Sequence, residues 1–248
     1  MLKPIGSAEF HALIRRVVSE LERVYKDRLL YIAAFGSLAR AAETPLSDID
    51  LLAIVDKGPA VAHTWLYGTT SIDVSVLPLE KVKERIFRVD GFWPHEVGAL
   101  LKHKVYVDRG GISKRLGRWH ARALRKVRRP VDPHTGFFDY LGKMERGWET
   151  RNPEVMRRAA WEMFFMSCMN LALVNRRFYV DHMRMTEEIK QFRIVPKGFV
   201  KHAKNLFHSD LGEVYRAAQA LMRIHLRLAK AYGYEMKSLA RVDQIRID

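Results

Sequence analysis

Residues 29–56 read LLYIAAFGSLARAAETPLSDIDLLAIVD, and this stretch decides the fold. Leu29 to Phe35 is a short apolar run ending at Gly36, which is the pattern of a buried strand. Ile49 to Val55 is a second such run, closed by the turn signal Asp56-Lys57-Gly58-Pro59. Between them, Ser37 to Ala42 is rich in helix formers and Thr44-Pro45 breaks it. Upstream, Phe10, Leu13, Ile14, Val17, Val18, Leu21, Val24 and Tyr25 recur at helical spacing, with Ser7 placed to cap the helix. Downstream, Thr69 to Leu77 alternates and is β-branched, which predicts a third strand. Leu79 to Val89 reads as a helix, and Val105 to Val107 as a last short strand ended by Asp108-Arg109-Gly110-Gly111.

After Gly111 the patterns are helical. Ser113 to Arg129 is one helix; Pro130, Pro133 and Gly136 make a loop; Phe137 to Thr150 is a second helix. Asn152-Pro153-Glu154 is a helix start, with an Asn cap and Pro at the first helical position, and the helix it opens is expected to run to about Phe178. More helices follow Pro196 and Ser209, and Trp161, Phe164, Phe165, Met166 and Met169 are expected in the core of this part. The fold class expected is therefore an α/β (α+β) domain with a small mixed sheet over residues 1–110, followed by a basic, all-α helical bundle over 111–248.

Charge divides the same way. Of 43 Lys and Arg and 28 Asp and Glu, residues 1–110 hold 15 and 14, leaving 28 against 14 for the rest. A half at +14 attracts phosphate, nucleic acid or another anionic partner. Within it, Ser113–Arg129 carries eight Lys and Arg and no acid; Arg118, Arg122 and Arg125 share one helix face and are candidate acceptor-binding residues. The single cysteine, Cys168, excludes an internal disulfide framework and a cysteine-based zinc site, and suits a cytoplasmic setting. The start of the chain lacks the apolar core of a secretory signal, and Ala159 to Val174 is too short and too polar to span a bilayer, so no membrane association is expected.

The chemistry lies where the two first strands begin and end. Gly36 permits a sharp turn and close approach of a phosphate. Ser37 opens the following helical turn, where free N–H groups favour an anion, and Arg40 lies one turn along, within reach of a phosphate oxygen. Ser47 joins them as a candidate nucleotide-binding residue ahead of Asp48. Asp48 and Asp50, at i and i+2 in a strand, point to one face, where two carboxylates repel unless a cation sits between them. Mg²⁺ is the hard, oxygen-seeking cation shared with substrate phosphates, and Mn²⁺ can stand in its place. Asp73, among Ile72 and Val74 on the third strand, is an acid whose burial needs a partner and which can complete the site. Three carboxylates can hold two metal ions, one for the attacking hydroxyl and one for the leaving pyrophosphate.

Gly36-Ser37, Asp48-x-Asp50 and Asp73, in this order and on these elements, resemble the polymerase β-type nucleotidyltransferase superfamily over residues 31–77. The α/β-then-helical order and Leu171-Ala-Leu-Val-Asn-Arg176 resemble its small antibiotic nucleotidyltransferases, the kanamycin and streptomycin types. The resemblance implies a Mg²⁺-dependent transfer of a nucleoside monophosphate from an NTP, ATP first, to an acceptor hydroxyl, with Asp48, Asp50 and Asp73 catalytic and metal-binding. In some relatives a Glu of the helical part is the general base; Glu145, Glu149 and Glu162 are the candidates, and Asp73 is a further one. Because the helical half is basic, an anionic acceptor or a nucleic acid fits better than a cationic aminoglycoside unless a local acidic pocket exists. A second reading rests on Arg177-Phe-Tyr-Val-Asp-His182, an Arg-x4-His pattern like that of HEPN ribonucleases, and makes the chain a toxin–antitoxin or RNA-binding regulatory module.

Overall fold

The computed structural model describes residues 6–41, 43–44, 47–126 and 137–232. They form two compact units, one of residues up to 126 together with Arg176–Glu188, the other of 137–175 and 189–232. The composition shift at Gly110-Gly111 falls inside the first unit. The break expected at Pro45, the loop at Pro130, Pro133 and Gly136, and the last arginines of the basic helix, Arg128 and Arg129, lie outside the described residues.

The first unit runs α1 (Ser7–Tyr25), β1 (Leu29–Ala34), β2 (Ile49–Val55), β3 (Val61–Tyr67), β4 (Thr70–Pro78), α2 (Leu79–Phe87), α3 (Trp93–Leu101), β5 (Lys104–Asp108) and α4 (Ile112–Lys126). The sheet order is β3-β4-β2-β1-β5. It is mixed: β2 and β4 pair in parallel, the other neighbours antiparallel. Alternation sorts the side chains. Ile49, Leu51, Ala53 and Val55 of β2, with Ile72, Val74 and Val76 of β4, share a core with Phe10, Ile14 and Leu21 of α1. Each Val, Leu, Ile or Phe side chain among them that is fully removed from water stabilises the unit by roughly 1.5–3 kcal/mol. The intervening residues, Asp50 and Leu52 of β2 and Asp73, Ser75 and Leu77 of β4, therefore face the opposite side of the sheet.

Several elements depart from expectation. Gly6, not Ser7, is the N-cap of α1, and no side chain caps it. Ser37 to Ala42 supplies only one turn of 3-10 helix, Leu38–Arg40, before Ala41 turns left-handed at φ 52°. β3 and α3 were not foreseen. β3 is an edge strand exposed along nearly its whole length, so it lacks the buried alternation that marks a strand. α3 begins at Trp93-Pro94, with Trp93 fully buried and its indole N–H on the Ile86 carbonyl at 2.9 Å.

The second unit packs α5 (Phe137–Glu149), α6 (Pro153–Val174), α8 (Phe199–Asn205) and α9 (Leu211–Ala231), with the short α7 (Met185–Ile189) where the chain passes from the first unit to the second. Asn152 caps α6 by accepting from the N–H groups of Glu154 and Val155 at 3.1 Å, as expected of Asn-Pro-Glu. α6 stops at Val174, short of Phe178. The Asn175 amide donates to Leu171 O and Ile194 O at 2.8 Å and accepts from Ile194 N at 2.7 Å, and Arg176 adopts φ 52°. Met169 and Cys168 are fully buried, and burial pushes the Cys168 thiol well above its ordinary range. Trp161, expected in the core, is 47% exposed and packs its ring against Phe164 and Phe207 at the surface. Among the described residues no helix is long and apolar enough to cross a membrane.

Candidate active site

Gly36 ends β1 with φ +67°, a conformation that favours glycine. A methyl group here would stand 3.0 Å from Asp50 Oδ2, so the turn must be bare for the carboxylate to sit against it. The Phe35 N–H donates to the Asp50 carbonyl at 3.1 Å, fixing the end of β1 beside the start of β2. Because these strands are antiparallel neighbours, the turn after β1 and the acids before and in β2 arrive at one end of the sheet.

A cavity of about 560 Å³ opens there, within the first unit. Gly36, Ser37, Arg40, Ser47, Asp48 and Asp50 all line it, and its floor continues over Leu52, Ser75 and Leu77. Its other walls are Arg85 of α2, His95, Glu96 and Leu100 of α3, Lys102, and Tyr179 to Asp181 with Met183. Ser47 closes a small turn with Thr44: its hydroxyl accepts from the Thr44 N–H at 2.8 Å while its own N–H donates to Thr44 O at 2.9 Å. The single 3-10 turn after Ser37 offers little helix dipole, so a phosphate at this wall would meet backbone N–H groups, the Ser37 hydroxyl and Arg40.

Asp73 is level with Asp50 on the adjacent parallel strand, and Thr64 is level with Asp73 on the next one. Asp73 does not line the cavity; its two oxygens accept from Thr64 Oγ1 at 2.6 Å and Ser71 Oγ at 2.8 Å. Among the described residues no three His, Cys, Asp or Glu side chains gather closely enough to hold a metal ion. Asp48 and Asp50 present hard oxygen donors side by side at one end of the cavity, a set that fits a Mg²⁺ taking its remaining ligands from phosphate and water.

The segment Arg176–Glu188 was missed as part of this site. The Tyr179 N–H donates to Pro94 O at 2.9 Å, and Tyr179 O lies so close to Gly98 that a Cβ there would be 1.9 Å away. Asp181 pairs with Arg40, Oδ2 to Nη2 at 3.0 Å. The signal for α3, Asp90-Gly91 followed by Trp93-Pro94, is legible as a helix start; nothing local marks Asp181 as the partner of a residue so far upstream. The other candidates are not among the residues that line the cavity. Arg118, Arg122 and Arg125 are exposed on α4, whose inner side carries the buried Ile112, Leu116 and Ala123, and none of the three lines the cavity. In the second unit Glu145 accepts from the Tyr215 hydroxyl at 2.6 Å and from the Gln219 amide.

Residues 14–107 match the nucleotidyltransferase domain family, and residues 136–235, Arg177 and His182 included, match the KNTase C-terminal domain family. Two relatives named aminoglycoside nucleotidyltransferase (4′), from Staphylococcus aureus and a Bacillus species, are each 26% identical over 106 residues, 41% of this chain and 42% of theirs. The match thus spans less than half the length of those relatives. A crystal structure of a nucleotidyltransferase-like protein from Exiguobacterium sibiricum 255-15 superposes with a TM-score of 0.48 at 13% identity, over 89% of this chain and 77% of that one.

Proposed function

We propose, since this chain belongs to the polymerase β-type nucleotidyltransferases with a C-terminal helical domain, that it moves a nucleoside monophosphate from an NTP, ATP first, to an acceptor hydroxyl. The observation that carries this reading is the meeting of Gly36, Ser37 and Arg40 with Asp48 and Asp50 on one cavity wall. In it, Ser37, Ser47 and Arg40 hold the phosphates, Asp48 and Asp50 hold Mg²⁺, and Asp73 completes the acid set from β4. Bound divalent metal would supply charge neutralisation at the phosphates and at the attacking oxygen. Residues 1–110 act as the catalytic part and 111–248 as a basic helical part that helps to bind the acceptor.

For the acceptor we favour an anionic molecule or a nucleic-acid end. Arg118, Arg122 and Arg125 are exposed on an acid-free helix, and Arg85 and Lys102 on the cavity wall form no ion pair within 4 Å among the described residues. A second reading, a cationic aminoglycoside, has the names of the two relatives behind it. One experiment separates them: each labelled NTP with Mg²⁺ and a panel of aminoglycosides, sugar phosphates, RNA and DNA, scored by pyrophosphate release and label transfer. Transfer to anionic acceptors alone supports the first reading; transfer to aminoglycosides alone replaces it. No pyrophosphate release with any NTP, together with no NTP-dependent rise in melting temperature, overturns nucleotidyl transfer itself.

A further inference from the structure

The Arg-x4-His stretch, singled out by its ends, earns its place by its interior. Asp181 lines the same cavity as Gly36, Ser37 and Asp50, and its carboxylate meets the guanidinium of Arg40 at 3.0 Å. The two side chains are only 28% and 13% exposed, so the pair is largely shielded from water. The carboxylate itself is held in place. Its Oδ1 accepts from the Met183 N–H at 2.9 Å, capping the turn His182–Arg184, which leaves Oδ2 for the arginine. The Glu188 carboxylate fixes the backbone by accepting from Val180 N at 3.0 Å and Asp181 N at 2.8 Å. Upstream, the Tyr179–Pro94 hydrogen bond and the bare Cα of Gly98 lock the segment onto α3.

We infer that Asp181 is a positioning residue for nucleotide binding: it holds Arg40 so that the unused edge of the guanidinium faces the triphosphate. Arginine makes this chemistry available, because its rigid fork of five donors can spend one nitrogen on Asp181 and keep others for a phosphate oxygen. Without Asp181 the long side chain would have to be ordered by the ligand itself, at a cost in affinity. The inference rests on the NTP reading proposed above.

The test is steady-state kinetics and NTP titration on the full chain. Asp181→Asn keeps an oxygen for the Met183 N–H cap and replaces the charged acceptor facing Arg40 with a neutral amide NH2. It is expected to raise KM and Kd for the NTP about tenfold while kcat and KM for the acceptor stay within about twofold. The same substitution in an Arg40→Ala background is expected to change KM no further, because Asp181 acts through Arg40. Asp181→Glu should recover part of the loss, and Gly98→Ala, which pushes the segment off α3, should raise the NTP KM as Asp181→Asn does. A purely structural role predicts lower melting temperature and active fraction with an unchanged NTP KM, and additive effects in the double variant; either result overturns the assignment while leaving nucleotidyl transfer standing. Failure of the unaltered protein to bind any NTP would overturn both.

Discussion

Asp50 and Asp73 stand level on adjacent parallel strands and face the same side of the sheet, yet Asp50 reaches the cavity while Asp73 is held by two hydroxyls. We read in the pairing a division of labour, with Asp50 meeting the ligand directly and Asp73 oriented from behind by its two hydroxyl donors. Thr64→Val removes one of the restraints without touching an acid. It is expected to raise the Mg²⁺ concentration for half-maximal activity about tenfold, read from a metal titration of turnover. An unchanged titration would remove Asp73 from the metal-binding set.

Asp48→Asn and Asp50→Asn are each expected to lower kcat by about 10²–10³-fold or more, since losing a metal ligand costs several kcal/mol of transition-state stabilisation. Melting temperature should hold or rise, as two like charges on one face are reduced to one. Near-normal turnover in both variants would refute the metal assignment.

Gly36→Ala asks an L residue to hold φ +67° and sets a methyl group 3.0 Å from Asp50 Oδ2. The expected loss is about 1–2 kcal/mol of stability from the backbone alone, with a fall in kcat/KM from displacing Asp50. Denaturant midpoints and kinetics on one preparation measure both. A variant as stable and as active as the parent would show that this turn relaxes freely.

Burial lowers the pKa of His103 and of His120 below the ordinary 6.5; the second ring is stacked on Trp93 at 5.4 Å. The unfolded chain therefore takes up protons at a pH where the native state still refuses them. Stability is whole above about pH 6.5 and is lost as pH falls through the folded pKa values. Melting temperature should drop between pH 7 and 5, and His120→Gln should flatten that slope. A slope identical in the variant would place the titration elsewhere.

The arginines of α4 predict a salt-dependent interaction. Replacing Arg118, Arg122 and Arg125 with Gln should weaken binding to short RNA, DNA or heparin and reduce the slope of log K against log salt by about 2 to 3. NTP affinity should hardly move. Fluorescence anisotropy across a salt series reads both. Absent or salt-insensitive binding by the parent protein would make the basic face an ordinary solvated surface.

Legibility in the sequence followed burial. β1, β2 and β4 write themselves as apolar or alternating runs because their faces are covered, and Gly36 to Asp50 falls in one short span whose ends two antiparallel strands bring together. β3 gave no such signal, since an edge strand exposed on both faces can carry Trp65, Leu66 and Tyr67 in the open. The far wall of the cavity was invisible for another reason. The Arg40–Asp181 pair joins residues 141 positions apart, and neither periodicity nor composition records a contact of that range. The same holds for Trp161, whose place on an apolar helix says nothing of which side stays uncovered.

The excursion of the chain between Asn175 and Ile194 has a consequence for synthesis. Those two residues clasp its base by two hydrogen bonds, and Arg176–Glu188 belongs to a unit whose other residues all precede 129. As the polypeptide leaves the ribosome, the sheet can assemble early, but its cavity lacks a wall until Glu188 has emerged, after α6 has been made. A nascent chain halted anywhere between would have its aspartates in place and Arg40 unpartnered. Truncation libraries should thus yield fragments that fold before they can bind nucleotide well, with competence arriving in one step as the last residues of the excursion are added.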